Sequence, residues 1–449
     1  MYKVIKIDDK RACLFDSEVM QPTFLSLKFC IEQLHFKSLN YQISTLSNIM
    51  FFHEYWLTKF NCTLDYSMYK DEFSGAVISK IISELEGFWI FLCSSKVYMD
   101  NVTALPTIHK KNSIKETQTH VSKYQTVCRF ISWLIDSYIT PHFILDDFEK
   151  TYNLNKTLHS YLSLSANNHS KFRLGNKNKN LYKSLTNEQL RDFVYLFKLP
   201  AKIEKDSDGR MTASAYVRFR NLILVKLLTQ YGLRIGETLL LRESSFKLNM
   251  AETIAYMYVA NLDDGVDPRK NKPSIKTRNS IRELKISMQD YKIIKMFMMQ
   301  VKLRASHNFL FSSSIGECPP LTYKAAYKII IDASEIMKDK FPAYFDQTKA
   351  EFLENVHPHM LRHTWAYMQL KNLYYQVEKQ FIKAGAVNTK GIMASAKDML
   401  RQLGGWSENS VMPNHYAERF IAESANEKSL KMFDEHFIET FETLDIPRI

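Results

Sequence analysis

The sequence predicts a mainly α-helical protein with a small antiparallel β-sheet, an α+β arrangement. Three observations carry this expectation. Glycine and proline number only 12 each in 449 residues, about half of ordinary usage or less, which leaves few residues for the tight turns of sandwiches and barrels. Apolar residues recur at helical spacing over most of the chain. The stretch rich in β-branched and aromatic residues, within 253–287, is short. The length itself predicts two to three domains, each large enough for its own core.

Taken in order, residues 1–20 are mixed and give no clear signal. Leu46, Ile49, Met50, Phe52, Trp56, Leu57 and Phe60 follow a helical period, so Ser44–Phe60 reads as a helix, and Val77–Cys93 as a second. Asp100–Ser113, with Pro106 and a Lys-Lys-Asn run, reads as a loop. A third helix follows on Val121, Tyr124, Val127, Cys128, Ile131, Leu134 and Ile135. A helical domain over 1–165 is expected from these. Ser163–Ser184 is polar and holds five Lys/Arg with no acid, which predicts a basic linker over 166–184. Thr186, with Gln189 three residues on, has the pattern of a capping box that opens a new domain over 185–425. There Arg218–Leu233 is apolar-periodic and a helix restarts at Leu233. Thr253–Ala260, Ser274–Thr277 and Arg282–Ser287 read as strands, the last alternating Leu284 and Ile286 against Glu283 and Lys285. From Met288 the chain reads as helical to its end. The final segment, 426–449, shows an amphipathic stripe of Leu430, Phe433, Phe437, Phe441 and Leu444. That stripe suits a helix packed on its own domain or one docked on a second copy.

Charge narrows the partners. The net charge is +12, and residues from Ala417 to the end carry −4, leaving +16 on the rest. A basic body with an acidic tail suggests a polyanionic partner, and on charge alone nucleic acid stands beside an anionic membrane surface or no partner at all. The six cysteines are scattered without a Cys-x-x-Cys pair, which argues against a disulfide framework and a thiolate metal site. The first residues lack a signal-peptide core, and the longest apolar run in the first hundred residues, Phe88–Cys93, is far too short to span a bilayer. A soluble, cytoplasmic protein that does not enter the membrane is expected.

The chemistry gathers at His357-Pro358-His359-Met360-Leu361-Arg362-His363-Thr364. Pro358 suits the first turn of a helix, and a helix from there puts His359 and Arg362 on one face. A histidine that changes charge near neutrality beside a permanent, forked cation suits a phosphodiester under attack. Alone, the pair is also an ordinary helix surface. It lies, however, between Tyr-Gly-Leu-Arg-Ile-Gly-Glu (231–237) and Ile-Lys-Thr-Arg-Asn-Ser-Ile-Arg (275–282) on one side, and Leu-Gly-Gly-Trp (403–406) and Tyr416 on the other.

This order of motifs resembles the phage-integrase family of tyrosine recombinases. The resemblance is specific from about Leu185 to Phe420 and looser over the helical N-terminal part, which it implies is a core-binding domain joined to a catalytic one around duplex DNA. It implies site-specific DNA recombination or integration through a 3′-phosphotyrosyl intermediate. Exchange of a phosphodiester for a phosphotyrosine conserves bond energy, so no cofactor is implied, and no metal. By the same resemblance, Arg234 and Arg362 grip the non-bridging oxygens, Tyr416 is the nucleophile, His359 takes or relays its proton, and Lys276 protonates the leaving oxygen. Trp406 stands where many members carry His, and its indole N–H can only donate. Glu237 is expected to orient the site and His363 to support it from the core. Lys171, Arg173, Lys177 and Lys179 in the linker, with Arg278, are candidate DNA contacts. Homo-oligomerisation as a tetramer on two sites and accessory directionality proteins are further implications. The same chemistry also serves DNA relaxation or telomere and dimer resolution. A catalytically silent DNA-binding regulator is the reading from a different class.

Overall fold

The computed structural model describes residues 2–8, 10–94, 114–141, 148–168, 184–200, 203–261, 267–275, 278–349, 351–383, 385 and 389–436. The chain divides into two compact units, Met1–Lys179 and Asn180–Ile449.

The first unit opens with a three-stranded antiparallel sheet of β1 (Tyr2–Lys6), β2 (Ala12–Asp16) and β3 (Gln21–Pro22), in which Tyr2 faces Asp16 and Phe15 faces Pro22. The expectation of no clear structure here missed this sheet for a physical reason. Ala12, Cys13 and Leu14 are all buried, so β2 shows no alternation, and β3 is too short to carry a pattern. Buried Gln42 stitches the sheet to the helices: its carbonyl accepts from Ala12 N at 3.1 Å, and its amide donates to Lys10 O and Lys37 O. After α1 (Phe24–Phe29) and a π-helical turn come α2 (Leu39–Phe60), α3 (Leu64–Lys70), α4 (Gly75–Ser83), α5 (Leu85–Ser94), α6 (Ile114–Tyr138) and α7 (Phe148–Asn168). The expected single helix Val77–Cys93 is broken at Glu84, whose carboxylate is drawn to the Tyr55 hydroxyl and to Lys59 Nζ at 2.6 Å. Beside the break, a Cβ on Gly87 would collide with the Tyr55 hydroxyl. Phe52, Tyr55, Trp56, Phe88, Tyr124 and Phe130 form the fully buried centre. Helix α7 reaches Asn168, three residues into the expected linker. The rest of that linker, with Lys171, Arg173, Lys177 and Lys179, lies outside the described residues, as does the expected loop Asp100–Ser113.

The second unit begins with α8 (Asn187–Tyr195), whose capping box forms as expected: Thr186 Oγ1 accepts from Gln189 N, and Gln189 Oε1 accepts from Thr186 N at 3.0 Å. Next come α9 (Ala213–Gln230), apolar on several faces and buried at its centre, and the short α10 (Ile235–Leu240). Strands β4 (Phe246–Leu248), β5 (Ala255–Val259) and β6 (Arg282–Ile286) pair antiparallel in that order. Of the expected strand Ser274–Thr277, the described Ser274 and Ile275 are not in a strand, and β4 takes the third place in the sheet. Helices α11 (Met288–Lys302), α12 (Tyr323–Lys340), α13 (Pro358–Lys383), α14 (Thr389–Gly404) and α15 (Met412–His436) complete the unit. Pro358 occupies the first helical position of α13, and His357 caps it by accepting from Met360 N through Nδ1 at 3.2 Å. One core surrounds α9, and a second packs Trp365 and Leu370 on α13, Leu400 on α14, Trp406, and Tyr416 and Phe420 on α15. On the tail stripe, Leu430 is exposed, and Phe437, Phe441 and Leu444 lie outside the described residues.

Candidate active site

The site grows from the turn between α9 and α10. Gly232 has φ +61°, and a Cβ there would collide with the Trp365 ring, so glycine is required twice over. Asp290 anchors the end of α9 by accepting from the Tyr231 hydroxyl at 2.6 Å and pairing with Lys226. Arg234 then sits at the N-cap of α10 with Glu237 at the third helical position, where Glu237 Oε2 accepts from Arg234 N at 3.0 Å. The same carboxylate accepts from the Arg234 guanidinium and from Arg282 Nη2 at 3.0 Å, and lies 3.9 Å from Arg362 Nη1. Burial works against the Glu237 charge, but Arg282, Arg362 and Arg234 outweigh it and hold the carboxyl below its ordinary range. One buried anion thus positions three cations.

The three cations are not equivalent. Arg282 is spent inside the protein: Nε donates to Leu403 O and Nη1 to Ser280 O, both at 2.9 Å. Arg269 is also buried, forked onto Asp267 and donating to Leu239 O and Leu321 O. The missed signal for Arg282 was its register, since it shares the inward face of β6 with Leu284 and Ile286. Arg234 keeps its side chain 26% exposed, and its described side-chain hydrogen bonds run through Nη1, to Glu237 and to Ser280 Oγ. Arg362 is buried, donating to Gly232 O through Nη1 and to Gly404 O through Nη2. Its guanidinium lies over the Trp406 ring at 4.6 Å. A Cβ on Gly404 would collide with that ring. Each glycine therefore carries a tryptophan against it and offers its carbonyl to the same arginine. Burial, then neighbouring Arg234, push the Arg362 pKa down to about 9, so it stays charged at neutrality.

The nucleophile candidate is reached from α13. His363 Nδ1 meets the Tyr416 hydroxyl at 2.6 Å, and both residues are buried. The His359 ring stands edge-on to His363 with centroids 4.3 Å apart, and His359 is exposed. The expectation had His359 handling the Tyr416 proton and His363 only facing the core. The structure places His363 in the core and against the hydroxyl as well, with His359 one ring further out. Burial, then His359, Arg362 and His357, push the His363 pKa down to about 3. At neutral pH it is an uncharged imidazole, whose Nε2–H tautomer accepts the phenolic hydrogen at Nδ1. Trp406 packs 6.0 Å from the Tyr416 ring.

A cleft of about 220 Å³ opens over the arginines, lined by Arg234, Glu237, Ser274, His357, His359 and Arg362, with Tyr323 and Tyr327 from α12. Lys276 lies outside the described residues, as does the side chain of Arg278, whose backbone begins a 3₁₀ turn, Arg278–Ser280. Among the described residues, no cluster of His, Cys, Asp and Glu has the makings of a metal site.

Residues 204–374 match the model of the phage integrase family. Segment 204–374 is therefore similar to that family's domain, and it holds most of the candidate site. The matched span contains Arg234, Glu237, Lys276, His359, Arg362 and His363 and stops before Trp406 and Tyr416. Helix α15 meets the family segment at His363, through Tyr416, and at Tyr367, whose hydroxyl donates to Glu423. No curated protein matches the chain at a significant level. Similar solved structures include the XerH site-specific recombinase bound to difH substrate in a pre-cleavage complex, at 13% identity and a TM-score of 0.33, covering 77% of this chain and 96% of that one. The Tn1549 transposon integrase in complex with circular intermediate DNA is similar at 14% identity and a TM-score of 0.35, covering 85% of this chain and 99% of that one.

Proposed function

We propose that this chain is a tyrosine recombinase, which cuts one strand of duplex DNA at a specific site with Tyr416 and rejoins it to a partner strand. The observation that carries the reading is the Tyr416 hydroxyl on His363, in the same cluster as Arg234, Glu237 and Arg362. Tyr416 Oη attacks the phosphorus, the bond to the 5′ oxygen breaks, and the DNA is left with a 3′-phosphotyrosine and a free 5′ hydroxyl. Arg234 takes the non-bridging oxygens from the open side of the cleft, and Arg362 holds the positive field beneath it. Lys276 returns a proton to the 5′ oxygen, a role that rests on its place in the family motif.

An uncharged His363 with so low a pKa is a poor base, so before DNA arrives it only orients the phenol. An entering phosphate offsets the cations around it, raises its basicity, and lets the phenolic proton move to Nδ1 as the oxygen attacks. His359, exposed at the rim, carries charge between that imidazole and solvent. Substrate binding and activation of the nucleophile are thereby one event.

The partner is double-stranded DNA, supported by the net charge of +12. Exchange between two duplexes calls for a tetramer, one protomer for each cut strand, with accessory proteins setting direction. A cytoplasmic setting suits that substrate, and no described helix is long and apolar enough to cross a membrane. The test is a nicked suicide duplex that traps the covalent adduct. The wild-type chain should form it, and Tyr416→Phe should bind the DNA and form none; an adduct in the variant would overturn the assignment.

A further inference from the structure

The cleft that holds Arg234, His359 and Arg362 has a second kind of wall. Tyr323 and Tyr327 line it from α12, four residues apart and therefore on one helix face. Their rings are stacked, with centroids 6.3 Å apart and planes 17° from parallel. They stay 50% and 40% exposed. The buried stripe of α12 is Ala326, Ile330, Ala333 and Met337, so the tyrosines do not serve its packing. Among the described residues, neither hydroxyl makes a hydrogen bond. Exposed Lys324 follows Tyr323, while Lys328 is occupied by Asp332 at 2.7 Å.

Paired aromatic faces left open beside a phosphate-binding guanidinium have the chemistry of a nucleotide site: the cations take the phosphate, and the rings take the base. We propose that Tyr323 and Tyr327 hold the base of the nucleotide next to the phosphate under attack, so that the cleft selects what flanks the cleavage point. This rests on the reading of the cleft as the phosphate site. The rings do the binding by stacking on the base, and the adjoining lysine adds charge along the backbone.

The test is a non-additivity experiment. The probe is the duplex that the protein selects from a random-sequence pool, nicked beside the cleavage point and made with or without an abasic site at the flanking nucleotide. The readout is the single-turnover rate of the Tyr416 adduct. Tyr323→Ala with Tyr327→Ala should slow adduct formation about tenfold on intact DNA, the lower range for loss of one stacked base. The abasic duplex should slow the wild type by a similar factor, and the two together should cost no more than either alone. Tyr323→Phe with Tyr327→Phe should stay within about threefold of wild type, and the Leu pair, which keeps apolar bulk without an aromatic face, should match the Ala pair. Losses that multiply to about a hundredfold, or an Ala pair that cleaves at the wild-type rate, would overturn the aromatic wall alone. A wild-type chain that forms no adduct on any selected duplex would overturn the phosphate reading and the wall with it.

Discussion

Glu237→Gln removes the buried negative charge on which Arg234 and Arg282 both converge and which faces Arg362 at 3.9 Å. Removing one partner of a buried ion pair costs about 3–5 kcal/mol, because the remaining charge is left uncompensated. Gln keeps the shape and one acceptor oxygen, so the lower figure, about 3 kcal/mol, is the expected loss. At about 2–4 °C per kcal/mol for a unit of this size, the melting transition of the second unit should fall by about 6–12 °C. Differential scanning calorimetry of the whole chain at pH 7 reads this, with any transition belonging to the first unit as internal control. Acid supplies a second readout. The folded carboxyl titrates below its unfolded value, so its stabilisation is fully present above about pH 4.3 and is lost as the pH falls through the folded pKa. The gap between wild type and variant should therefore close on acidification. A shift under about 2 °C at pH 7, or a gap that widens in acid, would refute the claim that this carboxylate organises the arginines.

Three further outcomes follow. Gly232→Ala strains a backbone at φ +61° and drives a methyl into Trp365, so it should destabilise the second unit by about 1–3 kcal/mol in urea unfolding and, by shifting the Gly232 carbonyl, slow cleavage more than it weakens DNA binding. His363→Phe fills the space but offers no acceptor to the Tyr416 hydroxyl, and single-turnover cleavage should fall by about 10²-fold or more with DNA affinity unchanged. In the first unit, His53 is buried with Nε2 on Ser26 Oγ at 2.9 Å and Nδ1 without a partner, and burial lowers its pKa. Its neutral form is the stable one, so the unit should lose up to about 1.4 kcal/mol per pH unit below about 6.5, and His53→Phe should flatten that dependence in thermal melts.

Features fixed by local chemistry were legible in the chain. The Thr186–Gln189 box, Pro358 at the head of α13 and the three-residue step from Arg234 to Glu237 each depend on neighbours in sequence, and the structure shows each. Features fixed by tertiary surroundings were not. β2 hides its alternation because its consecutive residues are buried, and the break at Glu84 arises from Tyr55 and Lys59, distant in sequence. His359 and His363 share a helix face four residues apart, so sequence alone could not separate their roles. Burial and the arrival of Tyr416 from α15 separate them. Arg282 lay between the two cases, since its strand register pointed inward while its charge suggested a surface.

The central claim is that Tyr416 is the residue joined to DNA, and trypsin isolates it cleanly. Cleavage after Arg401 and Arg419 releases residues 402–419, which contain Tyr416 and no other tyrosine. Mass spectrometry of the trapped adduct should find a nucleotide on that peptide. The same mass increment on any of the other tyrosine-containing peptides, with 402–419 unmodified, would contradict the account.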